Sequence, residues 1–156
     1  WRCGRGDGTI RIADIRMLPQ LLATVPAHRR PVTSLSWLSR EELVSQACDE
    51  TLQVRPLDHT SKTLSPAPSQ TYVGHQHLSK LVGLATLAPD YLATGSEDNH
   101  IYVYHRKLAN AVFKQSFNTG IPSLDHGAYT SAVRFVGKNA LVGANSAGMI
   151  RIWSLK

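Results

Sequence analysis

Three histidines stand at near-constant distances before a turn. His28 and Asp49 are 21 residues apart, His75 and Asp98 are 23 apart, and His126 and Ala147 are 21 apart. A His–Asp pair is suited to general acid–base chemistry, because a carboxylate can orient an imidazole and stabilise its protonated form. A catalytic pair, however, is needed once. Here the spacing recurs, and the third copy has no carboxylate, so the pairs are read as architecture and no catalytic residue is expected. His75 and His77 lie two residues apart with no Cys or carboxylate at zinc spacing, so no metal is expected either. No Gly-x-Ser-x-Gly and no phosphate loop occurs, and no cofactor is implied. The Arg-Gly-Asp tripeptide in "GRGDG" (Gly4–Gly8) falls in a predicted turn, where glycines serve turn geometry rather than adhesion.

The elements that must position these residues are hairpins. In "YLATGSEDNHIYVYHR" (Tyr91–Arg106) two runs of strand composition flank a polar cluster too short to be anything but a turn. The same frame returns in "RCGRGDGTIRIADI" (Arg2–Ile15), "VSQACDETLQVRPL" (Val44–Leu57) and "VGANSAGMIRIWSL" (Val142–Leu155). Its anchors Ile10, Leu52, Ile101 and Ile150 are separated by 42, 49 and 49 residues. A four-stranded propeller blade has a period of about 40–45 residues. An apolar or alternating run follows each histidine and reads as the strand before the hairpin.

The 156 residues suffice for one domain, and no run is apolar enough for a membrane helix. Two cysteines, Cys3 and Cys48, do not make a disulfide framework. The net charge of +6 favours an acidic partner, but the basic residues are scattered, which argues against nucleic acid. The chain begins at Trp1 rather than Met, as expected of a fragment.

A histidine before the first strand, Ser or Thr in the second, Asp in the tight turn and an aromatic in the third resemble the WD40 repeat. That resemblance implies an all-β propeller in which the four side chains form a hydrogen-bonded tetrad. His75, Thr94, Asp98 and Tyr104 make the full set. His28, Ser45 and Asp49 make a set with Arg55 in the aromatic position, and His126 and Trp153 are what remains in the last repeat. The expected division is residues 1–25 for the end of one blade, 27–73 and 74–117 for two whole blades, and 125–156 for a last blade without its outer strand. The Ser/Pro-rich connector 58–70 and the stretch 118–127 are expected as exposed loops. Three and a half blades cannot close a ring of about seven, so the chain is expected to be a C-terminal partial arc of a longer protein.

A narrower resemblance lies in "GHQHLSKLVGLATLAPDYLATGSEDNHIYVYHRKL" (Gly74–Leu108), "LVGANSAGMIRIWSLK" (Leu141–Lys156) and "ADIRM" (Ala13–Met17). These resemble the last blades of the constitutive photomorphogenesis E3 ubiquitin ligase and of its partner family, the suppressors of phytochrome A. The resemblance implies a non-catalytic module of nuclear or cytoplasmic light signalling. It would bind short acidic, Val-Pro-containing peptides of protein targets, with ligase-complex subunits as further partners and no membrane. Contacts would come from the loops leading into first strands: Arg29, Arg30, Lys80 and Leu81. Arg30 stands where the family has a peptide-facing lysine. Leu81 replaces an aromatic that packs on the Val-Pro pair. A generic WD40 scaffold of an unrelated complex is the competing expectation.

Overall fold

The computed structural model describes residues 2–4, 6–14, 16, 21–58, 60–61 and 63–154. Arg5 of the Arg-Gly-Asp tripeptide, Ile15 and Met17 of the Ala13–Met17 stretch, and the last two residues of the chain lie outside them. The described residues form four antiparallel sheets in chain order. Sheet one holds β1 (Arg2–Gly4), β2 (Thr9–Ala13) and β3 (Leu21–Pro26). Sheet two holds β4 (Val32–Trp37), β5 (Glu42–Ala47) and β6 (Thr51–Asp58), with β7 (Thr63–Leu64) and β8 (Gln70–Tyr72) both paired to β6. Sheet three is β9 (Leu84–Leu87), β10 (Tyr91–Gly95), β11 (His100–His105) and β12 (Ala111–Ser116). Sheet four is β13 (Thr130–Val136), β14 (Ala140–Asn145) and β15 (Ile150–Ser154).

Each sheet packs on the next, and the pleat sends alternate residues of one strand to two different neighbours. Ile10 and Ile12 of β2 meet Val32 and Leu43 of sheet two. Leu52 and Val54 of β6 meet Leu92, Tyr102 and Tyr104 of sheet three. Ile101 and Val103 of β11 turn the other way, onto Val133 and Leu141 of sheet four. This is why β5 and the centre of β11 are buried on both faces. Each fully buried large apolar side chain contributes roughly 1.5–3 kcal/mol. In β15 the equivalent residues Ile150 and Ile152 are 69% and 71% exposed.

The hairpins β1–β2, β5–β6, β10–β11 and β14–β15 are built alike. The residue after the Asp position is left-handed in every case: Gly8 (φ 79°), Glu50 (62°), Asn99 (60°) and Gly148 (83°). Asp7 and Asp49 each accept bonds from the backbone and hydroxyl of the Thr two residues on. Ala147 offers no such acceptor. Asn145 takes over, accepting from the amides of Ala147 and Met149 at 3.2 and 2.9 Å.

Two close approaches set the joint between sheets three and four. A Cβ on Gly95 would lie 2.2 Å from the Thr130 carbonyl oxygen, and one on Gly83 would lie 2.6 Å from the Val133 nitrogen. Between sheets two and three, Gln46 Nε2 donates to Thr94 Oγ1 at 2.8 Å, a buried bond.

Two expectations about loops change. The connector 58–70 contains β7, and its Leu64 is buried in the core between sheets one and two. The stretch 118–127 contains a single helical turn, α1 (Pro122–Asp125), tied back by Asp125 to the amides of Thr119 and Gly120.

Candidate functional site

In sheets two, three and four the loop leading into the first strand is fastened to the hairpin turn of its own sheet. The amides of Cys48, Glu97 and Ser146 donate to the carbonyls of Pro31, Gln76 and Tyr129 at 3.0, 2.9 and 2.9 Å. These bonds put the lead-in loops and the turns on one face, and Arg29, Arg30, Lys80 and Leu81 all belong to it. All four are exposed, Leu81 by 71%.

The same bonds define equivalent positions, and they expose an insertion. Leu35, Leu84 and Val133 face the middle of their second strands, opposite Ser45, Thr94 and Gly143. From Pro31 to Leu35 and from Tyr129 to Val133 is four residues, but from Gln76 to Leu84 is eight. Sheet three therefore carries four additional residues, placed at Leu78–Leu81.

What holds this insertion is Glu97. Its Oε1 accepts from the amides of Leu78, Ser79 and Lys80 at 2.5, 2.6 and 2.9 Å. Burial works against the charge, but these bonds outweigh it and lower the Glu97 pKa. The side chain of Lys80 then lies over the ring of Tyr129 in the next sheet, 5.8 Å from its centroid. That is within the range of a cation–π contact. Beneath the loop, His77 is fully buried, with Nε2 3.9 Å from Cys48 Sγ and 3.4 Å from Thr33 Oγ1. Glu97 and Tyr129 were missed by reading motifs. The only sequence signal was the longer His75–Asp98 spacing.

The tetrad residues are distributed unexpectedly. In sheet two, His28 Nδ1 donates to Asp49 at 3.1 Å and Nε2 bonds Ser45 Oγ at 2.8 Å. Burial opposes the Asp49 charge, yet bonds from His28, Thr51 and the Arg29 amide hold the carboxyl well below the usual range. Arg55 is buried in the aromatic position and donates to Ala27 O at 2.8 Å, Gln53 Oε1 and the carbonyls of Ser65 and Pro66.

In sheet three the four expected partners do not come together. His75 Nδ1 donates to the Tyr104 hydroxyl at 3.1 Å, and that hydroxyl donates to Val73 O. Thr94 serves Gln46, and Asp98 takes Tyr102 at 2.6 Å and Lys114 at 3.3 Å. The cause is register: His28 precedes its anchoring residue Pro31 by three positions, whereas His75 precedes Gln76 by one. In sheet four His126 and Trp153 are also apart. His126 is exposed at the end of α1, while Trp153 packs edge-on against Phe117 at 5.2 Å. Gly143 and Ala147 give His126 no polar side chain to bind. Among the described residues no cluster of three or more His, Cys, Asp or Glu is placed to hold a metal.

No protein-family model matches the chain. Among curated proteins, it is 30% identical over 155 residues to Protein SPA1-RELATED 3 of Arabidopsis thaliana, covering 96% of this chain and 18% of that protein. It is 30% identical over 156 residues to the E3 ubiquitin-protein ligase COP1 of the same plant, covering 96% of this chain and 22% of the ligase. The chain thus spans about a fifth of the length of these relatives. The crystal structure of the computationally designed Ika4 protein superposes with a TM-score of 0.76 at 23% identity, covering 99% of this chain and 84% of that one. With four stacked antiparallel sheets and these similarities, the chain is a homologue of the COP1 and SPA1-related proteins and has the all-β architecture of a WD40 propeller.

Proposed function

We propose that the chain is a peptide-recognition face of a photomorphogenesis-type ubiquitin ligase or its cofactor. It binds an acidic segment followed by a Val-Pro pair in nuclear or cytoplasmic target proteins and performs no chemistry on them. The observation that supports this most is the insertion in sheet three. It sets a lysine and a highly exposed leucine on the face that also bears Arg29 and Arg30. Cations beside an apolar shelf suit an acidic-then-apolar peptide. The partner sheets supply position, and the loops supply contact.

The test is titration of a labelled acidic Val-Pro peptide at two salt concentrations. Arg30→Glu is expected to weaken binding by about 1–2 kcal/mol at low salt, and by less at high salt, because an exposed charge acts mainly through screened repulsion. Leu81→Phe is expected to hold or improve affinity by giving proline a flat partner. Unchanged affinity in a folded Arg30→Glu variant removes the peptide reading and leaves a WD40 scaffold.

A further inference from the structure

We infer that Glu97 is the positioning residue of this face: its carboxylate holds the inserted loop so that Lys80 and Leu81 are presented beside Tyr129 of the neighbouring sheet, giving one binding surface across sheets three and four. This deepens the peptide reading and rests on it for the identity of the ligand. Three observations carry it. Residues 78–80 lie in no strand and are exposed, so a conformation here needs an internal anchor. Three consecutive amides converge on one oxygen of one side chain, within 2.5–2.9 Å. Charge-assisted bonds of this kind are the stronger ones. Finally, Lys80 leaves that anchor directly over the Tyr129 ring.

The arrangement also names a contact the Leu81 position lacks. A leucine has no flat face, but Tyr129, half-buried at the mouth of β13, has one. A ligand carboxylate would meet Lys80, and the apolar residues after it would lie between Leu81 and Tyr129. Tyr129 therefore sets preference for the apolar pair, while Glu97 touches no ligand.

The experiment measures the full chain by amide hydrogen exchange, thermal melting and titration with the labelled acidic Val-Pro peptide. In Glu97→Ala, exchange at Leu78, Ser79 and Lys80 is expected to accelerate and the peptide Kd to rise, each by about tenfold, with the melting temperature little changed. Glu97→Gln keeps an acceptor oxygen and is expected to recover most of both. Tyr129→Ala, with the loop still protected, is expected to weaken the Val-Pro peptide more than an acidic peptide lacking that pair. If the wild type binds no such peptide, the peptide reading falls, and exchange still judges the anchor. Unchanged protection and unchanged affinity in Glu97→Ala would overturn the inference. So would a loss matched by equal destabilisation of every sheet.

Discussion

Sheets two and three start from nearly the same inventory and spend it differently. In sheet two, His28, Ser45, Asp49 and Thr51 close a compact network over the hairpin. In sheet three, His75 and Tyr104 bond each other, and Asp98 turns to Tyr102 and Lys114. The carboxylate next to it, Glu97, leaves the sheet altogether to hold the loop. Residue types alone did not decide this. The distance between the histidine and the point where the lead-in loop is fastened did. Sheet two, with Arg55 for an aromatic, keeps the histidine–carboxylate bond. Sheet three, with every expected side chain present, does not.

The largest effect that would break this comparison is expected at the two turn carboxylates. Asp49→Ala strands the His28 ring, the Thr51 hydroxyl and the Arg29 amide, and is expected to cost about 2–3 kcal/mol in denaturant melts. Asp98→Ala takes the acceptor from the Tyr102 hydroxyl and frees the exposed Lys114 to solvent, and is expected to cost about 1 kcal/mol. Equal losses would mean the two networks do the same work.

The next effect is in pH. Burial, with His77 nearby, pushes the His75 pKa down to about 4 from 6.5. The unfolded chain therefore binds a proton first. The stability linked to His75 is present above about pH 6.5 and is lost as pH falls through 4, on the order of 3 kcal/mol in all. His75→Phe is expected to flatten melts compared at pH 7 and pH 4.5. A variant with an unchanged slope would show that the slope comes from another group. The smallest effect is at the left-handed turn positions. Glu50→Gly is expected to gain up to about 1 kcal/mol by relieving the left-handed backbone, whereas Asn99→Gly is expected to lose stability, because it removes the side chain that donates to Asn118 and accepts from Asn145.

The strands were legible because turn chemistry punctuates them: Asp-Gly, Asp-Glu, Asp-Asn and Ala-Gly each sit midway between apolar pairs. The lead-in loops were not. The segment from His75 to Val82 reads as the approach to a strand. Nothing in its composition shows that four of its residues stand apart from the sheet, because the side chain that holds them lies some 17–19 residues further on. The choice of Tyr102 over Tyr104 by Asp98 was hidden for a related reason. Both tyrosines suit a strand, and only the position of His75 decides which hydroxyl is already engaged. Arg30 and Leu81 were singled out by the family resemblance, which fixes positions in the lead-in loops. Tyr129 carries no such signal, because what marks it is the contact with Lys80 from another sheet.

Gly83 and Gly95 bring sheet four so close that neither leaves room for a methyl group, and the atoms they would strike belong to Thr130, Ala132 and Val133. Those residues follow Tyr129 directly. The gap between Lys80 and the ring is therefore gauged by two missing side chains at the joint of the sheets. A small residue placed there would act as a shim, re-spacing the face before it unfolded the sheet. Descendants of this sequence have in those two glycines a way to re-space Lys80 and Tyr129 without altering either residue.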